Sequence, residues 1–390
     1  MEYEVKNGGI TLFLSGRINS ENSERINDEI NAVLEKEKGM IPSFDVQDLE
    51  YISSAGLRVL MKTAKKYDRK LRVFNAKPEV YEIFDMTGFT GLFDVKKEYR
   101  SIDVSGCEVI GKGFYGTVYR LDEDTIVKAY DSPDALSMIE NERSMARLAF
   151  MNGIPTPISY DVVRIGENYG TVFELLRSKT FNDMIIDEPE RTDAIIREYV
   201  DFMKMVHGTV LEEGTLPFAR DVFIKNLDDL DDYLPSSVKE QLKELLLAVP
   251  DDHHVVHGDF QMKNVMLSSG EPMLIDMDTV SCGQPIFDLQ GLYMTYVLFA
   301  EDEPDNTMNF LGISRDTASH IMQKVLEFYY EKEDPDTVAC MSDSIRMLSY
   351  LRFLHIICGS HLKEGGLGET RIRHTVEHIT ELLPQIKSLV

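Results

Sequence analysis

The chain has 390 residues, 43% of them hydrophobic, with 41 Lys and Arg against 67 Asp and Glu and a formal charge of −26. That length favours two domains over one, and the apolar share suffices for ordinary cores. The acidic balance excludes a sequence-independent grip on nucleic acid, which needs a cationic surface, and suits a cationic small substrate.

The first hundred residues alternate strands and helices. "GITLFLSG" reads as a strand, and "NSERINDEINAVLEKEKG" carries apolar residues at helical spacing. "IPSFDV" reads as a short strand, "SAGLRVLMKTAKKYDRK" as a second helix, "LRVFNA" as a further strand and "PEVYEIFDMTG" as a third helix ended by Gly88. Such alternation predicts an α/β domain, a sheet packed on helices. The polar stretch "DVKKEYRSIDVSG" marks the domain boundary, with one domain at 1–98 and a second at 99–390.

Within the first domain, "LEYISSAGLRVL" places Ser53 and Ser54 between an extended segment and a helix. Either serine is a good N-cap for that helix. A phosphate on Ser54 would also lie at a helix N-terminus, where N–H groups and the dipole favour negative charge. The domain resembles the STAS family, the bacterial anti-sigma-factor antagonists, whose pattern here is Asp-Ser-Ser/Thr-Gly-Leu. "SSAGL" aligns through Gly56 and Leu57, and Ser53 replaces the usual aspartate. The resemblance implies a protein partner bound through this loop and helix, and Ser54 as a candidate phosphorylation site.

From Cys107 the character changes. "CEVIGKGFYGTVYRLDEDTIVKAY" reads as a glycine-turned strand pair followed by a third strand. Gly111, Gly113 and Gly116 let backbone N–H groups approach phosphates. No helix follows, against a Rossmann reading, and Gly113 stands where a Walker loop needs Ser or Thr. Lys128 sits among apolar neighbours in "TIVKAY", a cation for nucleotide phosphates. "MIENERSMARLAF" offers a carboxylate to hold it: Glu142 shares a helical face with Ile139, Met145 and Ala149, which favours it over Glu140. Long helical patterns run from about Asp193 to Val249 and from Arg315 onward.

Between those helical blocks lies "VVHGDFQMKNVML". A phosphoryl acceptor hydroxyl needs a carboxylate to orient it and take its proton, and Asp259 suits that role. Magnesium needs oxygen ligands: Asn264 supplies an amide, and "MLIDMD" supplies Asp276, with Asp278 as second choice. His257 reads as a hydrogen-bonder that steadies the loop. Cys107, Cys282, Cys340 and Cys358 form no CxxC pair, so neither a zinc site nor a disulfide framework is expected. "MEYEVKNGGI" lacks the pattern of a signal peptide, no run is long enough to span a membrane, and a cytoplasmic location is expected.

Taken together, G-x-G-x-x-G-x-V, the strand lysine, the helix glutamate, H-G-D-x-x-x-x-N and I-D resemble the protein-kinase-like fold. More closely they resemble its aminoglycoside and choline phosphotransferase branch, over about residues 105–390. The resemblance implies an α+β bilobal domain, with an N-lobe at about 105–176 and a C-lobe at about 177–390. It implies transfer of phosphate from ATP, assisted by magnesium, to a hydroxyl. It also implies a hinge at "VFELLRSKT", including Glu174, whose backbone meets adenine, and a buttress for the catalytic loop at Asp288.

Gly258 and Gln261 stand where protein kinases carry an arginine and a lysine, and no A-P-E follows Asp276. A small-molecule acceptor, aminoglycoside- or choline-like, is therefore expected over a protein acceptor. Two other readings are open. One is a regulatory protein that only senses nucleotide; it predicts a lost catalytic or metal residue, and none is lost. The other is a kinase acting on Ser54 or on a partner's STAS serine.

Overall fold

A computed structural model describes residues 1–390 apart from Asn7, Asp68, Gly113, Phe114, Tyr115 and Arg177. Gly113, expected in the phosphate loop, lies outside the described residues. The chain divides into two compact units, Met1–Asp103 with Val162–Glu167, and Val104–Asp161 with Asn168–Val390.

Among the described residues, positions 1–97 of the first unit form one five-stranded sheet with three α-helices. The strands are β1 (Tyr3–Lys6), β2 (Gly9–Ile18), β3 (Ile41–Ile52), β4 (Leu71–Ala76) and β5 (Phe93–Lys97), adjacent in that order. β1 and β2 are antiparallel; the other pairs are parallel, joined through α1 (Ser23–Lys36), α2 (Ser54–Ala64) and α3 (Pro78–Met86). Parallel neighbours need such crossovers. The core gathers Ile10, Leu12, Phe44, Val46, Leu60 and Phe84.

Two strands escaped the periodicity. β1 and β5 are the sheet's edges, and their charged residues blunt those edges. The stretch beginning "DVKK" thus starts inside a strand. β3 is also twice as long as "IPSFDV". It follows β2 through two register irregularities, with Asp45 receiving hydrogen bonds from Asn75 and from the backbone of Gln47.

In the second unit, β6 (Glu108–Lys112), β7 (Gly116–Arg120), β8 (Thr125–Tyr130) and β9 (Asn168–Glu174) form antiparallel neighbours in the order β6-β7-β8-β9. Helix α4 (Leu136–Met151) follows β8 and buries Ile139, Glu142, Ala146 and Ala149. The remainder is mostly helical, including α5 (Phe181–Asp187), α6 (Thr192–His207), α7 (Ala219–Asp228), α8 (Ser236–Leu247) and α9 (Ile286–Tyr293). Three further helices follow: α10 (Arg315–Tyr329), α11 (Pro335–Gly359) and α12 (Gly365–Leu382). Apart from these, β10 (Val265–Ser268) and β11 (Glu271–Leu274) make a small hairpin. A bilobal kinase-like arrangement results, a small β-rich lobe and a large helical one.

Candidate active site

Strand β8 places Lys128 between Val118 of β7 and Thr171 of β9. Its Nζ lies 3.0 and 3.2 Å from the two oxygens of Glu142 and 2.5 Å from Oδ1 of Asp276. Burial alone would lower the Lys128 pKa; the charges of Asp276, Glu142 and Tyr130 outweigh it and hold the ammonium well above its ordinary value. Glu142 is buried and Glu140 exposed, as the helical face requires. Tyr130, two residues along β8 on the same face, donates its hydroxyl to Glu142 Oε2.

The loop before β10 carries the second group. Asn264 donates through Nδ2 to the backbone oxygen and to Oδ2 of Asp259, both at 2.9 Å. Gln261 donates through Nε2 to the same Oδ2 at 2.9 Å. His257 holds the loop, as its residue type suggests: Nε2 donates to the carbonyl of Ile275 at 3.0 Å, and Nδ1 accepts from the N–H of Asp259 at 3.3 Å. Gly258 has φ +82°, and a Cβ there would stand 2.6 Å from the carbonyl oxygen of Thr279. Only glycine suits that position, which accounts for the missing arginine. Arg352 of α11 donates to the Gly258 carbonyl.

Asp288, wholly buried on α9, accepts from the N–H groups of His257 at 2.8 Å and Gly258 at 2.5 Å, and from Nε2 of His207 at 2.8 Å. Burial alone would raise its pKa; the hydrogen bond and charge of His207, with those of His257, keep it below the usual carboxylate value.

The two groups share one hairpin. The N–H of Ile275 donates to the Asn264 carbonyl at 3.0 Å, so Asp276 emerges one residue beyond a direct bond to Asn264. Asp276 adopts φ +59°, a left-handed turn that starts the short helical turn Met277–Thr279. Asp278 is pushed up to about 6 by burial and by the charges of Glu142 and Asp276, against the lowering pull of Lys128.

Lys128, Glu142, Asp276, Asn264 and Asp259 are thus brought together. Gly116 packs against β8, opposite Tyr130, and its Cβ position lies 2.0 Å from the Ala129 carbonyl oxygen. Gly111 has room for a methyl group, with Val118 at 3.7 Å. Glu174 ends β9 and accepts from Tyr160 at 3.4 Å. Ser54 belongs to the first unit, exposed as the first residue of α2; Ser53 caps that helix, accepting from the N–H of Gly56 at 3.4 Å. Sequence reasoning missed Tyr130, Gln261 as a donor and His207. For Tyr130 the signal was its spacing of two from Lys128; for Gln261, its place in the lysine's position.

The donor set suits magnesium in part. Among the described residues no group of three or more His, Cys, Asp or Glu could hold a metal ion. Asn264 spends its NH2 on Asp259, which leaves its carbonyl oxygen, and Asp276 adds a carboxylate. These are hard oxygen donors for an ion that takes its remaining ligands from phosphates and water.

A model of the phosphotransferase enzyme family matches residues 106–311, and a STAS domain model matches residues 1–103. BtrV of Bordetella bronchiseptica (strain ATCC BAA-588 / NCTC 13252 / RB50), described as an anti-sigma factor antagonist, is 36% identical over 91 residues, 23% of this chain and 78% of that protein. Among solved structures, ADP-bound aminoglycoside phosphotransferase APH(2'')-Ib is 14% identical with a TM-score of 0.49, covering 77% of this chain and 98% of its own. The streptomycin-ATP-APH(2'')-IIa ternary complex is 14% identical with a TM-score of 0.49, covering 78% and 98%. Among the described residues no helix is long and apolar enough to cross a membrane. The chain belongs to the phosphotransferase enzyme family, a small-molecule kinase that carries a STAS domain over its first 103 residues.

Proposed function

We propose that the second domain moves the γ-phosphate of ATP to a hydroxyl of a small molecule, and that the STAS domain binds a protein partner in the cytoplasm. The domains are taken as residues 1–98 and 99–390. One observation carries the reading: a half-buried lysine is paired with Glu142 and Asp276, an acid is held by Asn264, and Asn264 and Asp276 flank one hairpin. Lys128, kept charged by its carboxylates, grips the phosphates, and Gly111 and Gly116 bring backbone N–H groups to them. The hinge at Glu174 meets the adenine. Asn264 and Asp276 would hold magnesium, which supplies neutralising charge along the phosphates. Asp259 orients the acceptor hydroxyl and takes its proton as the new phosphorus–oxygen bond forms and ADP leaves. The acceptor class expected from the sequence is a cationic alcohol, aminoglycoside- or choline-like. In the STAS domain, Ser54 stands where a phosphate would face the N–H groups that start α2.

Radiolabelled ATP tests both parts at once. With magnesium and a panel of hydroxyl amines, label passes to an acceptor in wild type. Asp259→Ala lowers that transfer at least about 100-fold while nucleotide still binds. Full turnover by the variant removes Asp259 from the mechanism. Label on the protein itself that disappears in Ser54→Ala would shift the reading toward a kinase acting on its STAS serine.

A further inference from the structure

Gln261 is 9% exposed, and its amide is poorly served by the fold. Nε2 donates to Oδ2 of Asp259 at 2.9 Å, while Oε1 is buried with no hydrogen-bond partner among the described residues. A buried amide oxygen without a partner costs stability, so methionine would fill this space at least as well. The amide's orientation is fixed by chemistry: turned over, Oε1 would face a carboxylate oxygen. The single hydrogen bond it makes therefore goes to the acid.

The loop is wound to deliver that bond. The N–H of Gln261 donates to the Asp259 carbonyl at 2.8 Å, and the N–H of Asn264 donates to the Gln261 carbonyl at 2.8 Å. Two amides then converge on Oδ2, from Gln261 and Asn264, both at 2.9 Å. Asn264 has a second task in the proposed site, through its carbonyl oxygen. Gln261 has none.

We infer that Gln261 is a positioning residue for phosphoryl transfer: with Asn264 it fixes the rotation of the Asp259 carboxylate, engaging Oδ2 and leaving Oδ1 for the acceptor hydroxyl. This rests on Asp259 being the acceptor-orienting acid. In the step it serves, the acceptor oxygen bonds the γ-phosphorus, its proton passes to Oδ1, and the bond from phosphorus to the ADP oxygen breaks. A carboxylate free to swing loses alignment, and small misplacements at a reacting centre are costly.

The test uses the full chain and slow transfer of phosphate from ATP to water, which needs no identified acceptor. Gln261→Met removes the donor at similar volume, Gln261→Lys restores one, and Asp259→Asn runs alongside. Gln261→Met is expected to lower kcat roughly 10- to 100-fold, with KM for ATP within about twofold of wild type and no fall in melting temperature. Gln261→Lys is expected to recover most of that loss. A methionine variant as fast as wild type, losses in kcat that track a fall in melting temperature, or a lysine variant as slow as methionine overturns the inference alone, provided Asp259→Asn is slow. An Asp259→Asn enzyme as fast as wild type overturns the inference and the proposed function together.

Discussion

Asp288 shows how much rests on single side chains here. One buried carboxylate collects the N–H groups of His257 and Gly258 and the imidazole of His207, whose other nitrogen meets the Tyr329 hydroxyl at 2.7 Å. Asn at this position offers one oxygen and turns an NH2 toward a donor. Removing one partner of such a buried set costs about 3–5 kcal/mol, so Asp288→Asn is expected to be that much less stable near neutral pH. The sign with pH follows from the lowered pKa. The carboxylate's contribution is fully present above its unfolded value of about 4 and is lost as pH falls through the folded value, which lies lower. The gap between wild type and variant, measured by urea unfolding, should therefore be wide at pH 7 and narrow below about pH 4; a constant gap would contradict this. Asp288 was readable from its segment, "PIFDLQGL", because a motif fixes it. His207 and Tyr329 were not, since nothing local marks the end of one helix as the partner of another.

At the scale of elements, glycines that look alike in "GKGFYGTV" have different physical reasons. Gly116 cannot carry a Cβ because the Ala129 carbonyl oxygen of the neighbouring strand lies 2.0 Å from that point. Gly111 meets only ordinary contact, Val118 at 3.7 Å. Gly116→Ala is accordingly expected to cost more than about 2 kcal/mol by breaking strand pairing, and Gly111→Ala less than about 1 kcal/mol. If Gly111 covers phosphates, its alanine variant raises KM for ATP several-fold in an intact fold. Thermal melts and ATP kinetics on the two variants read this directly, and equal destabilisation would sink the distinction. The alternation of apolar residues made the central elements legible, from "GITLFLSG" to "TIVKAY". It failed at β1 and β5, where charge on an edge strand imitates a loop, and along β3, whose length is set by its partner β2.

For the whole molecule, the decisive fact is that each unit has a core of its own. Ile10, Phe44, Leu60 and Phe84 belong to one, and Tyr199, Phe260, Leu289 and Leu354 to the other. Separate cores license separate cooperative transitions. Nucleotide and a core mutation should then act on different steps. In the first unit, Gly56 sits where a Cβ would stand 2.6 Å from Ile18 Cγ2 and 2.8 Å from Ile52 Cγ1. Both neighbours are buried at 1% exposure, so neither can yield cheaply. Gly56→Ala should lower the first unit's transition and leave the other in place. ADP with magnesium at about 100 times its dissociation constant should raise only the second unit's transition, by about 2.7 kcal/mol. For a unit of this size that amounts to roughly 4–5 °C. Scanning calorimetry on wild type and Gly56→Ala, with and without ADP and magnesium, gives the four curves needed. A single transition that responds to both changes would mean that the two cores unfold as one, and that a partner bound at the STAS domain could reach the phosphotransferase site through stability alone.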